Sequence, residues 1–176
     1  ADLCTSGRCT AAELTALGSG MNATRAIAYL RGSRTDEGAL RTRSTVLGDI
    51  VNSSPVMVAS TDDYVYQSFG GTMATSYKAF LDAKKTAGRS LVLVGANDGM
   101  FHVFDGRSSS PPGGNEVFAY IPATALGYMG DLLYPYDPDD KDDQKFRHRY
   151  LVDGPVTVSD IYNGTAWKTI AVGTSG

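Results

Sequence analysis

LVLVGANDGMFHVFDGR, residues 91–107, is the stretch that decides how this chain folds. Two apolar runs, Leu91–Ala96 and Met100–Phe104, flank Asn97-Asp98-Gly99. An Asp-Gly pair between apolar runs is the strongest short-range hairpin signal. Asp98 and Gly99 can adopt the positive φ of a type I′ turn, so Asn97, Asp98 and Gly99 are assigned as a structural turn. Neither run alternates cleanly: Met100 and Phe104 are apolar on one side, Phe101 and Val103 on the other. An antiparallel sheet with one wet face alternates. A ribbon that is apolar on both sides needs neighbours on both sides, as in stacked sheets or radially packed blades.

Outward from the hairpin, a strand is expected at Pro55–Ala59, with Pro55 tolerated only as its first residue or at an edge. After a Ser/Pro/Gly loop at 108–115 a further strand is expected at Val117–Ile121. Pro155–Ile161 and Trp167–Val172 form a second hairpin around Asn163-Gly164. Ser54-Pro55-Val56 echoes Gly154-Pro155-Val156, and Leu93-Val94-Gly95 echoes Ala171-Val172-Gly173, which makes a weak internal repeat. Four strands in one group and two in another give a mainly β chain. The expected fold is a partial β-propeller, about one and a half four-stranded antiparallel blades with short helical inserts.

Helical signals sit around these strands. Thr10-Ala11-Ala12-Glu13 fits a capping box, and Asn22 can cap a second helix running to Arg31. Tyr77, Phe80, Leu81 and Lys84 share helical spacing, with Gly88 as the stop, whereas 61–74 reads as a loop. Residues 122–150 are a long excursion in which Ala125–Leu133 forms a short helix. The expected organisation is a helical lead-in and connector at 1–45 and a propeller segment at 46–176. Within the latter, the first blade spans about 54–121, the insert 122–150, and the second blade begins at 154–176.

A net charge of −3 gives no electrostatic reason for a nucleic-acid partner. Arg25, Arg31, Arg34, Arg41 and Arg43 cluster with Tyr29 as the single aromatic among them and read as a solvated face on an exposed connector. No apolar run approaches a membrane span. The chain opens without Met and stops as a strand enters a turn at 171–176, so it is expected to be a piece of something longer. Cys4 and Cys9 are either two reduced thiols or a disulfide closing a small loop, worth about 2 kcal/mol. The bridge is favoured and points to an extracytoplasmic compartment.

Candidate chemistry is sparse. Asp137, Asp139, Asp140, Asp142 and Asp143 suggest a cation loop, but Pro138 and Lys141 intrude and a solvated acidic loop is the simpler reading. His102 is expected as a hydrogen-bonded core residue and His148 as exposed; neither stands in a nucleophile–base arrangement. No catalytic, cofactor-binding or metal residue is assigned.

Several blocks, taken in order, resemble one family. They are Tyr29-Leu30-Arg31-Gly32, Leu47-Gly48-Asp49-Ile50-Val51-Asn52-Ser53-Ser54-Pro55-Val56, the stretch Val94–Asp105, Ala119-Tyr120-Ile121-Pro122, His148-Arg149-Tyr150-Leu151-Val152-Asp153-Gly154 and Trp167-Lys168-Thr169. Together they are similar to the quinoprotein-like β-propeller of PilC/PilY-type proteins, the type IV pilus tip adhesins and assembly factors. That resemblance implies a non-catalytic scaffold supporting pilus assembly, twitching motility and surface attachment. It implies a location at the pilus tip, cell surface or outer membrane of a Gram-negative bacterium. The implied partners are pilins or minor pilins, host or abiotic surfaces, and the remaining blades of a parent chain. No cofactor is implied for this segment; the family's calcium loop lies farther along the propeller. Two alternatives are a quinoprotein-like redox enzyme fragment and a calcium-binding module. Unpaired blade faces further lead to an expectation of self-association.

Overall fold

The computed structural model describes residues 10–108, 113–136, 139, 146 and 148–175. Cys4, Cys9, Asp137, Asp140, Asp142 and Asp143 lie outside the described residues. Four strands form an antiparallel meander in sequence order: β1 (Val56–Val58), β2 (Leu91–Gly95), β3 (Phe101–Asp105) and β4 (Glu116–Tyr120). A second sheet pairs β5 (Val156–Tyr162) with β6 (Trp167–Gly173). Helices α1 (Ala11–Leu17), α2 (Ala23–Leu30), α3 (Gly71–Ala87) and α4 (Ala123–Leu126) complete a mixed α/β architecture. Helix contributes as much as strand, more than a mainly β chain would have. The chief reason is α3, which starts at Gly71 inside the expected loop and runs for 17 residues.

The 91–105 ribbon is packed as its composition demands. Its register sets Leu93 opposite Val103 and Val94 opposite His102, so odd-numbered residues share one face and even-numbered residues the other. On the odd face Leu93, Val103 and Val156 form a buried cluster, with Val56, Val58, Leu91, Phe101 and Val158 against it. The second sheet thus lies on the first, with β5 against β1 and β2. On the even face Val94 and His102 are buried, while Phe104 borders a groove toward Val46 and Leu47. Farther out on β4, Phe118 and Tyr120 are more than half exposed.

The turn differs from the expected type I′. Val65 alone among described non-glycine residues has positive φ, so Asp98 does not. The Gly99 amide donates to the Ala96 carbonyl (3.2 Å), the Ala96 amide donates to that of Met100 (3.0 Å), and Gly99 has φ +86°. This is the three-residue loop of a type I turn closed by a glycine bulge.

Both early caps form as expected. The Glu13 amide donates to Thr10 Oγ1 while the Thr10 amide donates to the Glu13 carboxylate, and Asn22 Oδ1 accepts from the Arg25 amide. Leu14, Met21, Ala26, Tyr29 and Leu40 then bury one another together with Leu133 of the insert. The insert is therefore core as much as excursion. Ala125, Met129 and Leu132 pack with Met100, Leu151 and Val152 beneath the turn.

The arginine cluster is only in part the solvated face expected: Arg31 and Arg34 are exposed, while Arg25, Arg41 and Arg43 are partly buried. Arg25 pairs with Asp36, which is buried. Arg43 donates to Glu37 (3.0 Å) and to the Tyr29 and Ser33 carbonyls, with its guanidinium 3.7 Å above the Tyr29 ring. Arg34 donates to the carbonyls of Arg43 and Ser44. Residues 32–45 carry few apolar side chains, and these charge-assisted bonds hold the connector instead.

Candidate functional site

Three stretches far apart in the chain, 47–54, 97–99 and 148–154, meet at the end of the β2–β3 ribbon. Asn97, buried at the turn, is the hub. Its amide donates to the Asp49 carbonyl (3.0 Å), its Nδ2 donates to Asp49 Oδ2 (3.0 Å), and its Oδ1 accepts from the Leu151 amide (3.1 Å). Asp98 accepts from the amides of Gly48 (2.7 Å) and Met100 (3.1 Å) and lies 3.1 Å from His102 Nε2. Gly99 supplies more than its positive φ: a Cβ there would sit 2.5 Å from Met129 Sδ.

Asp153 closes the arrangement. Fully buried, it accepts from the amides of Val51 (3.2 Å) and Asn52 (2.9 Å) and from Asn52 Nδ2 (2.5 Å). Burial alone would push its carboxyl up, but the amide donors of Asn52, Val51 and Ser53 outweigh it and hold the carboxyl below the usual range. Ser53 in turn accepts the Gly95 amide through its Oγ (3.0 Å). Asp49 is likewise held low, the donors His148 and Asn97 overcoming its desolvation. His148 is exposed as expected, with Nε2 2.8 Å from Asp49 Oδ2.

His102 is the buried, hydrogen-bonded residue expected, bridging Asp98 and Glu116. Desolvation disfavours its charge, yet the two carboxylates win and raise its pKa above the ordinary histidine value. The carboxylates of Asp49, Asp98 and Asp153 are all engaged by donors from other segments. Their chemistry here is positional: they clamp loops to the sheet. Among the described residues no group of three or more His, Cys, Asp or Glu is disposed to hold a metal ion. Of the acidic loop, only Asp139 is described.

A second buried carboxylate, Asp160, fastens α3 to the second sheet. It accepts from Tyr77 Oη (2.9 Å), Lys84 Nζ (2.9 Å) and Thr169 Oγ1 (2.5 Å). Trp167, at the start of β6, meets Tyr66, Tyr77 and Phe80, and its Nε1 donates to Ser76 Oγ (3.1 Å). The reason is that α3 folds back over β6. Asp49, Asp153 and Asp160 went unnoticed as anchors at the sequence level. The available signal was an aspartate inside an apolar context, as in Leu151-Val152-Asp153-Gly154.

The stretches that converge here belong to a matched domain. Residues 47–176 match the PilY1 beta-propeller domain. The chain belongs to the PilY1 beta-propeller family. Within that family it is 41% identical over 156 residues, 85% of its length, to a type IV pilus biogenesis factor PilY1 homolog of Xylella fastidiosa. It is 37% identical over 158 residues, 84% of its length, to type IV pilus biogenesis factor PilY1 of Pseudomonas aeruginosa strain PAK. The PilY1-type chain spans only about 12% of the length of these curated relatives. No solved structure matches it. No helix among the described residues is long and apolar enough to cross a membrane.

Proposed function

We propose that this chain is the opening part of a quinoprotein-like β-propeller that serves as a non-catalytic scaffold and adhesin segment of the type IV pilus machinery. In this reading residues 1–45 are the lead-in. Residues 46–176 carry one complete four-stranded blade at 54–121, the insert 122–150 and the start of a second blade at 154–176. The observation that carries it is the face-to-face packing of the two sheets through Leu93, Val103 and Val156. Sheets of neighbouring blades bury one another in this way. The relatives named as pilus biogenesis factors supply the biological setting.

The protein would act outside the cytoplasm, at the pilus tip, cell surface or outer membrane of a Gram-negative bacterium. Its partners would be pilins or minor pilins, host or abiotic surfaces, and the remaining blades. Recognition would use the inserts at 61–90 and 122–150, since loops on a rigid base commonly carry it. Val65 and Phe69 expose apolar side chains on the first of them, above the base that Asp160 and Tyr77 fasten.

The test is Asp153→Ala in the full-length parent protein, with surface pili, twitching and attachment measured in the bacterium. Loss of all three, with Arg31→Gln harmless, supports the reading. Unchanged piliation and attachment from a parent whose propeller has demonstrably unfolded would overturn it.

A further inference from the structure

Asn163 is followed by glycine, which is true of none of the chain's other asparagines, Asn22, Asn52, Asn97 and Asn115. It sits at the exposed tip of the β5–β6 hairpin, where its amide donates to the Ala166 carbonyl (3.2 Å). Its side-chain Oδ1 accepts two backbone amides at once, from Thr165 (3.1 Å) and Ala166 (2.9 Å). Gly164 has φ +91°, and a Cβ there would meet nothing within 4 Å. The Gly164 amide itself has no hydrogen-bond partner among the described residues.

These features assemble a reaction within one residue pair. The Gly164 nitrogen closes a succinimide ring when it attacks Cγ of Asn163. Negative charge then builds on Oδ1, and the Thr165 and Ala166 amides already stand where an oxyanion needs its donors. Both bonds strengthen as that charge grows, so they favour the transition state over the resting amide. With no Cβ on Gly164 the nucleophile is unhindered, and exposure lets hydroxide reach its proton. The other asparagines lack this combination. Each precedes a residue that carries a Cβ; Asn97 is also buried, and Asn52 donates its Nδ2 to Asp153.

We propose that Asn163 is a self-modifying site that deamidates through a cyclic imide. Hydroxide takes the Gly164 amide proton and the nitrogen bonds to Cγ. The Cγ–Nδ2 bond then breaks, and ammonia leaves with a proton from water. A second water opens the imide: attack at Cγ gives aspartate, attack at the backbone carbonyl gives isoaspartate. No electrons change hands. The isoaspartyl product carries one extra carbon in the backbone, just where the hairpin sets Tyr162 opposite Trp167. Because Trp167 meets Tyr77 and Ser76 of α3, the change at the tip reaches the helix. The site goes beyond the scaffold role and does not rest on it.

The experiment incubates the 176-residue chain at pH 8 and maps its peptides by mass spectrometry with electron-transfer fragmentation. That measurement locates the exchange of side-chain nitrogen for oxygen and separates aspartate from isoaspartate. A synthetic peptide of residues 161–168 supplies the unfolded reference. Support requires conversion at Asn163 roughly tenfold faster than at any other asparagine, and faster in the folded chain than in the peptide. Gly164→Ala should slow it roughly tenfold. Thr165→Pro removes one donor to Oδ1, leaves the Asn-Gly pair intact and should slow it as well. Conversion no faster in the folded chain than in the peptide, conversion spread over the other asparagines, or an unaltered rate in Gly164→Ala overturns the proposal. Should Thr165→Pro disturb the hairpin, the comparison of the unaltered chain with the peptide decides.

Discussion

His102 and Glu116 face each other across the β3–β4 pair, Nδ1 2.6 Å from Oε1, while the same imidazole reaches Asp98 through Nε2 at 3.1 Å. One ring therefore ties the hairpin turn to the outer strand. Only the doubly protonated ring donates to both carboxylates at once.

Stability should fall as pH rises through the folded pKa of His102. That pKa lies above the ordinary value of 6.5, so the ring's stabilisation is complete below 6.5 and lost once it deprotonates in the fold. Urea unfolding at pH 6, 7.5 and 9 should show a progressive loss, and His102→Gln should flatten it. A profile equally steep in the variant would show that another group is responsible.

Acid should act with the opposite sign. Asp153 and Asp49 are held below the usual carboxylate value, so the stability they contribute is present above about pH 4 and disappears as pH falls through their folded pKa values. Asp153→Ala removes the acceptor of several buried donors at once, and roughly 2–4 kcal/mol should be lost at pH 7. Chemical denaturation measures this directly.

Gly95 and Gly164 should respond differently to alanine. A Cβ on Gly95 would lie 2.3 Å from the Val152 carbonyl oxygen, a backbone clash that forces the two segments apart. Around Gly164 there is open space and only φ +91° to strain. Gly95→Ala is expected to cost roughly 2–3 kcal/mol and Gly164→Ala roughly 1 kcal/mol. Melting temperatures of the two variants should rank accordingly.

Asp160→Ala should release α3 from the second sheet, leaving Lys84 and Tyr77 without their acceptor at a cost of roughly 3–5 kcal/mol. Hydrogen exchange along Gly71–Ala87 should accelerate, and Trp167 fluorescence should shift to the red. Exchange confined to its former rate would mean that the aromatic contacts alone hold the helix.

The isolated chain should associate as its concentration rises, because Phe118, Tyr120 and Val172 expose apolar surface beside unpaired strand edges. Sedimentation velocity across a hundredfold range should show it, and Phe118→Lys should weaken it. A strictly monomeric species throughout would contradict this expectation.

The strands and caps were readable because their causes are local. Thr10 with Glu13, Asn22, and the apolar runs flanking Asp98 each specify their own element within a few residues. Helix α3 was legible only from Tyr77 onward, since Gly71-Thr72-Met73 carries no helical signal and adopts helix as part of a segment docked on β6. The partners that hold the arginine connector were not legible for the same reason. Its composition is polar, but the partners that make it structure, such as Asp36 and the Tyr29 ring, come from folding.

Residue order by itself determined the two hairpins, their apolar faces and the need to cover them, because turn chemistry and side-chain period act over short distances. Tertiary structure alone decided that Asp49, Asp98 and Asp153 are clamps. Each takes hydrogen-bond donors from loops about 50 to 100 residues away, and a carboxylate's role is set by which donors surround it.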